Sequence, residues 1–457
     1  MTRLSVALAA TATVLSLAST PAVAAPSVYP TGTTIYDPAH AWNGYTVLSP
    51  LGTEAALVID MNGRVVKRWD GYSHSAGGPA RVLPGGSVIA ASGARPPHQE
   101  SLELVERDFD GNVIWRFARN EQVETRDGET IWALRQHHDW QRDDFPAGYY
   151  SPGAEPAAVG RNTLILTHTS HVLADVADVL LEDDRIIEVT SNGEIVWEWV
   201  AGEHIDELGF DAAARDVIRA APGFNAERGA GFDWLHLNSA TYVGPNQWFD
   251  GGDSRFAPEN VIVSSRQASI VAIIARDGEI VWRLGPDFSA SEELRAIRQI
   301  IGQHQAHLIP PGLPGAGNLL VFDNGGASGY GFTNPIAPNG TGAFVRPSSR
   351  VLEINPVTLK LEWSYQAGAR FFASNISGAQ RLPNGNTLIT EGTTGRLFEV
   401  TTDGTIVWEY VNPLFTGPQS SNAVYRAYRL PYAWIPQLER PEEEAVTPPA
   451  LGQFAVP

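Results

Sequence analysis

One phrase returns six times along this chain: a tight turn, an apolar pair, then a tryptophan. Asn62-Gly63 leads to Trp69, Asp110-Gly111 to Trp115 and Asn192-Gly193 to Trp197. Asp277-Gly278 leads to Trp282, a degenerate Pro356-Val357 copy to Trp363, and Asp403-Gly404 to Trp408. An Asx-Gly pair supplies the positive φ that a two-residue hairpin turn demands, so each phrase reads as the turn and outer strand of one β unit. The tryptophans are 46, 82, 85, 81 and 45 residues apart. The short intervals fit four-stranded propeller blades of about 40–50 residues. The long ones fit blades with insertions, because each interval holds one Trp phrase only. The pattern predicts an all-β chain, a six-bladed β-propeller with short helical insertions, whose inner strands line a central channel.

Strand-like alternation in Arg185 to Val189 and Arg396 to Val400 supports this, as do turn signals at Pro84-Gly85-Gly86 and Pro383-Asn384-Gly385-Asn386. A seventh blade built from the two terminal strands is the alternative. The expected closure instead returns Ala423 to Tyr432 onto the first blade, which removes an exposed edge. Helical spacing marks Asp211 to Ala221 and Ser291 to Ile301, the latter with Ser291 as a cap. The Gly-, Asn- and Pro-rich stretch from Gly325 to Gly342 is a candidate lid. The propeller is expected over 26–437 and a loosely held tail over 438–457.

Residues 1–25 read as an export signal: Arg3, the apolar stretch Leu4 to Leu17, and Ala22-Val23-Ala24 as the cleavage site. A membrane anchor is the alternative, but the apolar run is short for a bilayer. A periplasmic or secreted location is expected. The absence of cysteine removes disulfides, thiol nucleophiles and thiolate metal sites together. A net charge of −19 disfavours nucleic acid as a partner. The two lysines, Lys67 and Lys360, do not follow glycines, which excludes a phosphate-binding P-loop. There is no Gly-x-Ser-x-Gly elbow either.

Histidine is the nucleophile that remains. Eleven occur, none after His307, and five of them fall at the start of successive inner strands: His137 and His138 in the third unit, His236 in the fourth, His304 and His307 in the fifth. Strands that line one channel bring such residues together. A lone histidine is more often structural, but three successive blades presenting one suggest an anion or metal site. The metal reading would join His304 and His307 to His236 and Asp323. It is disfavoured, because an H-x-x-H spacing on a strand points the two rings to opposite faces. The anion reading gains from Arg266, whose planar fork suits sulfate or phosphate oxygens. Asn238 and Asn324 are candidate substrate contacts, with turn capping as the alternative. No metal or other cofactor is called for.

Asp233-Trp234-Leu235-His236-Leu237-Asn238-Ser239, followed by Ser264-Ser265-Arg266-Gln267, resembles the arylsulfate sulfotransferases, or arylsulfotransferases. Gly302-Gln303-His304, Phe322-Asp323-Asn324-Gly325 and Tyr29-Pro30-Thr31-Gly32 resemble them as well. The resemblance implies an exported six-bladed propeller. It also implies transfer of a sulfuryl group from a phenolic sulfate donor to a phenol acceptor through a histidine, without a nucleotide. By motif match, His236 would be the channel histidine, His304 its partner, and Arg266 the residue near the anion. The resemblance puts the sulfated histidine in the blade after the His304 phrase, where Asn375 to Gln380 has none. That leaves His304, His307 or the His137–His138 pair for the role, or a divergent member. A quinoprotein-like oxidoreductase and a non-catalytic propeller binding sulfated or aromatic ligands are the competing readings. Oligomeric state is not readable from the sequence.

Overall fold

The computed structural model describes residues 30–447, apart from 74–77, 97, 125–127, 154–159, 224–230, 327, 331–343 and 418–419. The proposed signal at 1–25 and most of the candidate lid therefore lie outside the described residues. Each Trp phrase forms the fourth strand of its blade counted from the channel: Val65–Asp70, Val113–Phe117, Ile195–Val200, Ile280–Leu284, Leu361–Tyr365 and Ile406–Val411. The turn chemistry holds, with Gly63 at φ 78° and Gly404 at φ 87°. Six antiparallel blades result, each running outward from an inner strand on the channel through three more strands, the fourth carrying the Trp. The second strands, one removed from the channel, are buried along their length, as in Tyr45–Pro50 and Val261–Ser265.

The ring has six blades, not seven. Val424–Leu430 pairs with Tyr45–Pro50 and becomes the inner strand of blade 1, as expected for the returning C-terminus. One feature was not legible in the sequence: Gly32–Tyr36 pairs with Ile406–Val411 as a fifth strand of blade 6. Both chain ends thus seal the same junction.

The repeated indoles are the bolts of the ring. Each Trp Nε1–H donates to a backbone carbonyl in the next blade: Trp69 to Asp108, Trp115 to Ser191, Trp197 to Arg276, Trp282 to Pro356 and Trp363 to Thr402. Trp408 of blade 6 donates to Met61 of blade 1 at 2.8 Å and closes the circle. Buried arginines reinforce several junctions. Arg142 joins Glu106 and stacks over Trp115, Arg381 joins Glu353 and stacks over Trp363, and Arg429 faces Glu399 and stacks over Trp408.

The insertions expected in the long intervals are present. A hairpin of Glu121–Glu124 and Thr130–Ala133 precedes the inner strand of blade 3. The helix Ala212–Ala220 is capped by Asp211, and Glu292–Ile297 by Ser291. The second helix stops short of Ile301 because Arg298 turns to φ 66°. No helix among the described residues is long and apolar enough to cross a membrane. The start of the tail is held more closely than its patternless sequence suggests. Glu443 accepts from Met61 N–H and from the Tyr36 and Tyr432 hydroxyls, and Val446 bridges to Tyr36.

Candidate active site

Blades 3, 4 and 5 enter the channel through the same backbone device. Two left-handed residues stand three apart at the start of each inner strand: Arg135 and His138 (φ 57° and 56°), Asp233 and His236 (46° and 51°), Gly302 and Gln305 (58° and 50°). The ladder to the second strand breaks register at each place. A non-glycine residue held there costs about 1–3 kcal/mol, which the surrounding packing must offset. The bulge lets side chains distant in sequence converge. The rings of His138 and His236 meet edge to face at 4.5 Å, and the Tyr425 ring lies 6.0 Å from His138. His137 Nδ1 and His138 Nδ1 are 2.8 Å apart, so one of them donates to the other.

His304 is the most sharply defined group. Its Nδ1 lies 2.8 Å from Asn324 Oδ1 and 3.1 Å from the Gly302 carbonyl. The Asn324 amide nitrogen donates to the carbonyls of Ala373 and Ile376, which fixes the amide orientation and turns its oxygen to His304. Nδ1 therefore carries the proton and Nε2 the lone pair. Burial, the Arg266 guanidinium and more distant charges hold this imidazole well below the usual histidine range, against the Asn324 contact. Burial also pushes Arg266 down to about 10, opposed by Asp233. Arg266 N–H donates to the His236 carbonyl, which ties the two candidate residues together. His138 too is held well below the usual range, by burial and then by His236 and His137.

Behind the channel the histidines continue as a ladder with carboxylates. His236 Nδ1 bonds Asp233 Oδ2, and Asp233 Oδ1 lies 3.3 Å from His168 Nε2. His168 Nδ1 stands 3.2 Å from Glu100 Oε1, while His98 bonds Glu182 at the partly exposed end. Burial alone would raise the Asp233 carboxyl, but His236 and His168 outweigh it and hold it well below the usual range. Two groupings here have the residue types of metal sites: His137, His168 and Asp184, and His98, Glu100 and Glu182. His168 faces carboxylate oxygens with both nitrogens and stacks on His137 at 3.7 Å, so it has no lone pair to give a cation. Arg135 and Arg95 already neutralise Glu100. Neither grouping fits a metal.

Deeper in the channel the polar groups are more fully engaged with one another. His307 Nδ1 donates to the Gln305 carbonyl and its Nε2 accepts from the Tyr149 hydroxyl at 2.9 Å. Burial pushes this histidine down to about 4. Asp139 lies between two buried guanidinium groups, Arg81 at 2.8 Å and Arg426 at 3.2 Å. Arg426 also donates to the Asn238 carbonyl at 2.5 Å, and the Asn238 side chain donates to the Gln303 carbonyl.

A sequence model of the arylsulfotransferase (ASST) family matches residues 107–413, about two thirds of the chain. The chain belongs to the arylsulfotransferase family. No curated protein matches it. Among solved structures it is similar to a protein of unknown function from Bacteroides caccae, at 11% identity, covering 85% of this chain and 100% of that one, TM-score 0.44. It is also similar to the Cps50 (Swd1) β-propeller domain of Myceliophteria thermophila, at 10% identity, covering 84% of this chain and 88% of that domain, TM-score 0.38.

Of the residues singled out in this arylsulfotransferase-family sequence, His138, His236, His304, Arg266 and Asn324 come together at the channel mouth. His137 sits behind His138, burial and His168 lowering it below the usual range. His307 lies deeper, with both nitrogens engaged. Asn238 braces blades 4, 5 and 1, with Oδ1 left over as an acceptor. Asp323, weighed as a ligand, is held by Arg346, Arg350 and Ile301 N–H. Sequence reasoning missed Asp233, His168, Asp139, Tyr425 and Arg426 as parts of the site. The spacing of Asp233 to His236 offered a signal; His168 offered none, because it stands on a second strand.

Proposed function

We propose that this chain takes the sulfuryl group of a phenolic sulfate ester onto His304 Nε2 and passes it to a phenol. The observation that carries the reading is the tautomer of His304: Asn324 claims Nδ1–H and leaves a neutral, lone-pair Nε2. In the first half-reaction Nε2 forms a bond to sulfur as the ester O–S bond breaks and the aryloxide leaves. In the second, the acceptor oxygen bonds sulfur as the N–S bond breaks, and its proton goes to His236 Nε2. Asp233 behind His236 Nδ1 fixes that ring and offsets the charge it takes up. Arg266 is assigned to the sulfuryl oxygens, where charge builds. Buried Arg266 and Arg426 beside the histidines suit an anionic ester, in a chain whose overall charge of −19 would otherwise repel it. Export is part of the proposal and rests on residues 1–25 alone.

Release of 4-nitrophenol from its sulfate ester, with and without added phenol in metal-free buffer, tests it. Phenol-dependent release and a trapped sulfohistidine at 304 are expected. Release without phenol would make the protein a hydrolase. No release from folded protein would leave a propeller that binds the ester without consuming it.

A further inference from the structure

His168 is fully buried on the second strand of blade 3, Thr163–Leu173, one strand behind the channel. Its two nitrogens face two different carboxylates, Asp233 Oδ1 at 3.3 Å and Glu100 Oε1 at 3.2 Å. A carboxylate oxygen here is only an acceptor, and a neutral imidazole has a single N–H. Either neutral tautomer would press a lone pair against an anion in a dry interior, so both nitrogens must be protonated. The other charged and titratable groups around it agree. Glu182 Oε1 is 3.8 Å from Nδ1, and Arg135 and Arg95 are spent on Glu100. His137, stacked on the ring, has Asp184 3.2 Å from its own Nε2.

We propose that His168 is a resident imidazolium and a positioning residue for the reaction, which acts through Asp233 by fixing that carboxylate and moderating its pull on the proton that His236 takes up. The Asp233 carboxylate is the direct link: one oxygen holds His236 and the other faces His168. Burial opposes the charge on His168, but Glu182, Asp233 and Glu100 raise it well above the usual histidine range. Glu100 is held well below its own range for the matching reason, His168 and Arg135 outweighing burial. The charge state stands on geometry alone, while its catalytic part rests on the sulfuryl-transfer reading.

The experiment has two readouts on the full chain. In side-chain ¹⁵N NMR of histidine-labelled protein at about pH 8, above the ordinary histidine range, one buried imidazolium signal is expected that His168→Gln removes. In the pH profile of kcat/KM for transfer to phenol, losing that positive charge moves the acid limb of His168→Gln upward, on the order of one pH unit. A merely structural His168 would lower the amount of folded enzyme and leave the limb in place. If His168→Gln does not fold, Glu100→Gln replaces it: the imidazolium signal is then expected to titrate at lower pH, and the limb to move the same way by less. A wild type with no such imidazolium overturns the proposal. So does an unmoved limb in an active, folded variant. Wild-type protein inactive with every phenol overturns the functional reading and the catalytic part together, and the NMR signal still judges the charge.

Discussion

At the mouth of the channel, His304 has one ring nitrogen fixed by Asn324 and the other kept as a lone pair. Three residues along the same strand, His307 has both nitrogens engaged, one by the Gln305 carbonyl and one by Tyr149. Burial is near complete for both, and both are held neutral. The difference lies in what surrounds the second nitrogen, and it comes from the backbone. Gln305 at φ 50° and the broken register between His304 and His307 set the two rings in different layers of the channel. Two histidines at metal-like spacing are thus not a pair. One keeps a free lone pair and the other holds strands together.

The sharpest way to break this comparison is to delete each ring in turn. His304→Ala is expected to lower phenol-dependent turnover by on the order of 10³-fold or more, since it removes the proposed nucleophile. His307→Gln should cost less than about tenfold in turnover and about 1–3 kcal/mol in stability, from an unsatisfied Tyr149 hydroxyl. Steady-state rates and denaturant midpoints of the two variants decide it, and equal loss of turnover would erase the distinction. Arg266→Lys comes next: trading a planar fork for a point charge should cost about 10²-fold in kcat. An unchanged kcat would return Arg266 to a structural role.

A smaller effect separates the charged ladder from the neutral channel by pH. His168 has a folded-state value well above its unfolded one, so its stabilisation is complete below about pH 6.5 and fades as pH rises through the folded value. The stability gap between wild type and His168→Gln should therefore narrow at alkaline pH, as followed by urea denaturation at several pH values. His307, depressed to about 4, gives no such trend in that window. A constant gap would contradict the sign. The smallest effect belongs to the rim: Trp363→Phe should cost about 1 kcal/mol, one exposed inter-blade bond. Trp408→Phe, fully buried, should cost more.

The ring was legible because its signal is local and repeated. Asx-Gly turns and tryptophans state the blade number without any tertiary knowledge, and the return of Ala423 to Tyr432 followed from the need to close the ring without an exposed edge. The fifth strand of blade 6 was hidden because edge pairing of Gly32–Tyr36 has no marker in its five residues. At the site, His138, His236 and His304 could be found because each opens an inner strand. Their separate roles could not be read, because these depend on partners such as His168 and on the amide orientation of Asn324. Neither lies near its histidine in sequence: His168 is 68 residues before His236, and Asn324 is 20 beyond His304.

The indole bolts make this molecule count. Each blade reaches one place forward, so none is complete until its successor exists, and the tally balances only when the sixth finds the first. A chain with a blade deleted or duplicated, if its ring failed to close, would keep one indole with nothing ahead and one turn carbonyl with nothing behind. Those are the two halves of a head-to-tail contact. A miscounted copy would not merely be looser; it would be equipped to join its neighbours end to end.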